Sequence, residues 1–149
     1  MASRKQPVAA AIAVLLVAAP IALAAAPVGR AKYVGKTNDG SVLTVKLNGD
    51  ASRVKRMRIH YTVTCDDGRS GQTYTDVLGA PVRKDHTFSA HGTYTGSGDG
   101  SQNAFKVSGA LARNRAHGKF SLTATSKATD GTPVHCKTGK LTWSAKRQK

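Results

Sequence analysis

From residue 32 to the C-terminus, hydrophobic and polar side chains alternate with a period of two. Leu43, Val45 and Leu47 share one face, with Thr44 and Lys46 on the other. Met57, Ile59, Tyr61, Val63 and Cys65 share a face, opposed by Arg56, Arg58, His60, Thr62 and Thr64. The rule continues with Phe105, Val107, Gly109 and Leu111 against Lys106 and Ser108, and with Phe120, Leu122 and Ala124 against Lys119, Ser121 and Thr123. It closes with Leu141, Trp143 and Ala145 against Thr142, Ser144 and Lys146. One apolar and one wet face per segment is the pattern of antiparallel sheet. No window after residue 25 sustains the i, i+3, i+4 spacing of an amphipathic helix.

Asp-Gly at 39–40, 67–68, 99–100 and 130–131 and Asn-Gly at 48–49 punctuate the segments with turns that tolerate positive φ. The pattern predicts strands near 32–37, 42–48, 53–65, 71–78, 86–95, 103–113, 117–128 and 133–146. Cys136 and Leu141 have opposite parity, so a bulge at Gly139 is expected in the last of them. Short strands at hairpin spacing predict an all-β antiparallel β-sandwich, with a small closed β-barrel as the alternative. A single domain over 25–149 suits the length.

The first 24 residues follow a different rule. Arg4 and Lys5 precede the uncharged apolar run Val8 to Ala19, Pro20 breaks it, and Ala22-Leu23-Ala24 supplies a small-x-small cleavage site. This is the layout of a secretory signal peptide over 1–24. A retained anchor would have to read through both Pro20 and Pro27 with mostly alanine, and no second hydrophobic segment follows. The expectation is a secreted or envelope-associated protein with no transmembrane segment after cleavage.

Export changes the reading of the cysteines. Cys65 and Cys136 are the only two, and an even count in an oxidising compartment predicts one disulfide. Cys65 sits on the apolar face of its strand, so the bond is expected to cross the core and tie the third strand to the last. No Cys-x-x-Cys redox pair and no four-ligand zinc spacing is present.

Charge changes the reading of the wet faces. The chain carries 23 Lys+Arg against 8 Asp+Glu, a formal +15, and all eight acids are aspartate. Losing residues 1–24 removes Arg4 and Lys5 and no acid, so the net charge falls only to +13. By parity, Arg56, Arg58 and His60 point outward together, as do Lys46, Lys106, Lys119 and Lys146. A broad cationic sheet face attracts polyanions such as anionic cell-wall or extracellular polymers. Few aromatics interleave with these cations, which argues against base stacking and sequence-specific nucleic-acid recognition.

Catalytic chemistry finds little support. Asp39, Asp67, Asp99 and Asp130 precede glycine in turns, and Asp50, Asp66 and Asp85 sit in others, leaving Asp76 alone within a strand. His86 and His91 face opposite ways on a straight strand, and no nucleophile elbow or phosphate loop is present. Gly96 to Ser101 reads as a flexible hairpin loop, since it has neither the spacing of a dinucleotide loop nor the ligands of a calcium loop. The chain is therefore read as non-catalytic, with no cofactor and no metal.

The order Tyr33-Val34-Gly35-Lys36-Thr37, Thr64-Cys65 with Asp67-Gly68, Val107-Ser108-Gly109, Ala116-His117-Gly118-Lys119-Phe120, and Cys136-Lys137-Thr138-Gly139 followed by Trp143-Ser144-Ala145 resembles a loose group of small secreted bacterial β-rich proteins of no established function. The resemblance implies an exported β-sandwich and carries over no catalytic residue. The expected biochemistry is non-covalent polyanion binding through the basic face. The alternative is an inhibitor or ligand-binding module using loop 95–102 or 66–71.

Overall fold

The computed structural model describes residues 25–96 and 100–149. The signal-peptide reading of 1–24 and the centre of loop 95–102 lie outside the described residues. Nine strands and no helix occur among them: β1 (Lys32–Thr37), β2 (Val42–Leu47), β3 (Arg53–Cys65), β4 (Ser70–Pro81), β5 (Thr87–Thr95), β6 (Gln102–Leu111), β7 (Arg115–Lys127), β8 (Pro133–Lys137) and β9 (Leu141–Arg147). All pairings are antiparallel.

The β-sandwich expectation gives way to the barrel alternative. Two meanders, β1–β4 and β5–β8, are joined on one side by β9, which lies between β1 and β7. On the other side β8 pairs with both β3 and β7. The circuit β3-β2-β1-β9-β7-β8 thus closes on itself, which removes free edges from those strands. β4 extends the wall beyond β3, and β6 with β5 extends it beyond β7.

Closure depends on the break at Gly139. Instead of a bulge within one long strand, Gly139 adopts φ +69 and separates β8 from β9. Each half then pairs with different neighbours. The register irregularity lies elsewhere. Pairing between β2 and β3 slips between Lys46 and Leu47, so Lys55 has no opposite residue on β2. That extra residue turns Val54 and Met57, three apart, to the same buried side.

The disulfide also differs in geometry from its expectation. Cys65 and Cys136 are bonded, but they are directly opposite residues of the adjacent strands β3 and β8, with a Cα separation of 3.9 Å. The bond staples the closing seam rather than crossing the core. Of the loop expected at 66–71, residues 66–69 form the β3–β4 hairpin turn that starts at this staple, and Ser70 and Gly71 already belong to β4.

Alternating positions fill the interior as the period-two rule requires. Tyr33, Leu43, Val45, Met57, Ile59, Phe120 and Trp143 are all buried. The Trp143 indole lies where Gly118 and Gly109 stand opposite each other. A Cβ on Gly118 would fall 2.0 Å from the Ser108 carbonyl oxygen and 2.6 Å from the indole. Glycine here makes room for the largest core side chain.

Candidate functional site

The outer surface of β1, β2 and β3 is built by direct cross-strand opposition. One row runs Leu78, Arg56, Lys46, Lys32 across β4, β3, β2 and β1. The adjacent row runs Asp76, Arg58, Thr44, Val34, Lys146, Arg115 across β4, β3, β2, β1, β9 and β7. Directly opposed side chains are about 5 Å apart at Cβ, so these cations are neighbours rather than an average over the surface. Lys32, Lys46, Arg56 and Arg58 surround Thr44 in a shallow depression of about 210 Å³.

Asp76, the one aspartate within a strand among the described residues, organises the arginines. Arg56 Nη2 donates to Asp76 Oδ2 at 2.6 Å. Arg58 is bidentate, with Nε to Oδ1 at 2.9 Å and Nη2 to Oδ2 at 2.7 Å. The Arg58 guanidinium also lies 4.4 Å from the centre of the Tyr74 ring, which the half-buried His60 ring approaches at 5.5 Å between ring centres. Hydrogen bonds from Arg58, acting against partial desolvation and joined by Arg56, hold the Asp76 carboxyl well below the usual carboxylate range. The carboxylate holds both guanidinium groups and cancels one of their two charges.

The six cations and one histidine expected to bind polyanion do not form one face. Lys46, Arg56 and Arg58 come together, with His60 one row along and Lys146 on the same wall. Lys119 stands opposite Ser108 and Thr142, and Lys106 stands opposite His91 and Ser121. Both belong to the β5–β6–β7 flank, where the curve of the barrel turns them away from β2 and β3. Three participants were missed: Lys32, the Asp76 clamp and the Tyr74 platform. Lys32 shares the outward parity of Lys36 on β1, and that signal was available; which strand lies beside β2 was not.

The other described aspartates lie in turns. Asp50, Asp67, Asp85 and Asp130 each accept hydrogen bonds from the residue two positions on. Asp39 accepts from the Thr37 hydroxyl and the Ser41 amide, and Asp66 accepts from the His135 amide of β8. Among the described residues no three His, Cys or Asp groups converge in a way that could hold a metal ion, and no helix is long and apolar enough to cross a membrane. No protein-family model and no curated protein matches the chain.

Proposed function

We propose that the chain is an exported, non-catalytic protein that binds anionic envelope or extracellular polymers through the basic wall of β1, β2 and β3. The observation that carries this reading is the register that gathers Lys32, Lys46, Arg56 and Arg58 around Thr44. A repeated anion can lie along the row from Arg56 to Lys32 while Arg58, Thr44 and Lys146 contact it from the side. The disulfide supports an oxidising compartment. The excess of positive charge supports capture of a polyanion by long-range attraction.

Retention on heparin and on isolated cell walls tests the reading. The protein should elute late, at a salt concentration that falls for a Lys32→Ala/Lys46→Ala variant. A Lys106→Ala/Lys119→Ala variant, altered on the other flank, should elute close to the unmodified protein. Elution of the unmodified protein at low salt, or equal loss in both variants, would sink the assignment to this wall.

A further inference from the structure

A second concavity, of about 780 Å³, opens at the disulfide end between the facing strands β4 and β5. Just past the end of β4, Val82 forms an isolated antiparallel bridge with Phe88 of β5 near the connecting turn. Val63, Leu122, Ala124 and Cys136 contribute apolar lining. Its volume lies within the roughly 300–1,000 Å³ of small-ligand sites.

Its chemistry departs from the core in a concerted way. Along β4 the inward positions run Val77, Thr75, Thr73, Gly71. Along β6 they run Val107, Phe105, Asn103, and along β7 they run Leu122, Ala124, Ser126. Three strands change from hydrocarbon to hydroxyl or amide toward the same end. This is not simply a wet rim, because Thr75 is 4% exposed and Asn103 9%.

The polar groups are positioned by one another. Thr75 Oγ1 shares hydrogen bonds with Tyr61 Oη at 2.7 Å and Tyr94 Oη at 2.9 Å. Burial pushes the Tyr61 phenol up, so it remains a neutral hydroxyl. Asn103 Nδ2 donates to the Ser101 carbonyl and hydroxyl oxygens at 3.1 and 3.0 Å, which leaves Oδ1 as its acceptor for a ligand. Among the described residues no lysine or arginine lines the cleft, and Asp76, the one charged residue among them, is engaged by Arg56 and Arg58.

We infer that this cleft is a second binding site, for a neutral, hydroxyl-rich ligand of one or two sugar rings. Hydroxyl and amide groups of Thr73, Thr75, Tyr94, Asn103 and Ser126 match donors and acceptors on a carbohydrate. The hydrocarbon lining and the Tyr94 ring suit the apolar face of a pyranose. A carboxylated or phosphorylated ligand would find no cation here. The site is thus distinct in ligand charge and salt response from the basic wall, and it stands or falls separately.

Amide-shift NMR titration of the oxidised full chain with chitobiose, cellobiose and maltose tests it, with digalacturonic acid as the charged comparison. At least one neutral disaccharide should give saturable shifts at Thr73, Tyr94, Asn103 and Ser126. Its affinity should be unchanged between about 50 and 200 mM salt. Gly71→Leu should abolish those shifts and leave heparin retention intact. A Cβ at Gly71 meets nothing within 4 Å, so the fold should accept the change. Thr73→Val, which removes one exposed hydroxyl at constant volume, should weaken binding as a second check. The inference is overturned if none of the three saturates at about 10 mM. It is equally overturned if only the acidic sugar binds, if the shifts fall on β1–β3, or if Gly71→Leu binds as well as the unmodified protein.

Discussion

Replacing Asp76 with Asn separates a binding role for Arg56 and Arg58 from a purely structural one. The carboxylate holds both guanidinium groups and cancels one charge, so Lys32, Lys46, Arg56, Arg58 and Lys146 present a net four charges to a polymer. Counterion release contributes a log–log salt slope of roughly 0.8 per neutralised phosphate, which gives about −3 for this wall. Between about 50 and 200 mM salt, affinity for long-chain polyphosphate should then fall roughly 80-fold. Asp76→Asn raises the net charge by one and frees both arginines. The slope should steepen by about 0.8, and the loss over the same salt range should grow to roughly 250-fold. Tyr74 still stacks under Arg58 in the variant, so that side chain keeps part of its orientation. Fluorescence anisotropy of labelled polyphosphate across a salt series reads both quantities, and urea unfolding confirms that the variant is folded. A folded variant with an unchanged slope, or with weaker binding at low salt, would mean that the two arginines are a β3–β4 clamp and do not face the polymer.

Gly118→Ala forces a Cβ against the Ser108 carbonyl and the Trp143 ring. It should cost about 3 kcal/mol or more in urea unfolding, and a cost below about 1 kcal/mol would refute the close approach. The Cys65→Ser/Cys136→Ser variant opens a linked separation of 71 residues and should lose about 4 kcal/mol, with faster amide exchange concentrated in β8 and the end of β3. Stability should fall as pH drops below about 4. Asp76 is held low by Arg58 and Arg56, and Asp50, Asp67, Asp85 and Asp130 by the hydroxyl or amide two residues on, so the unfolded chain binds more protons there. Asp76→Asn should flatten the acid limb of that profile, measured as urea midpoint against pH, and an unchanged limb would remove Asp76 from the explanation.

The strands were legible because each buries one face only. Period two then marks every inward residue, and the Asp-Gly and Asn-Gly turns bound each run. Closure was not legible, because alternation is identical in a sandwich and a barrel. The deciding event is the pairing of β8 with both β3 and β7, a contact between segments far apart in the chain. The parity mismatch between Cys136 and Leu141 was the local sign of it. A bulge and a full break satisfy that mismatch equally, and positive φ at Gly139 with separate partners for β8 and β9 makes it a break. The mismatch between Val54 and Met57 was the better sign of a true irregularity, at Lys55.

The candidate site was legible to the same depth and no further. Parity separates outside from inside, and on that test Lys46, Arg56, Arg58, Lys106, Lys119 and Lys146 are all outside. It says nothing about where around the barrel a residue lies. On a flat sheet, outward residues share a surface whatever their strand. On a closed wall, residues four strands apart, such as Lys46 on β2 and Lys106 on β6, face different directions. Strand order therefore decides function here, and it splits one expected face into a basic wall and a separate flank. The same alternation gives β4 two chemistries in neighbouring residues. Asp76 faces outward to arrange the arginines, while Thr75 faces inward to join Tyr61 and Tyr94. A strand that serves both surfaces explains why Asp76 sits beside the buried Thr75, an arrangement that neither a turn nor a plain core position requires.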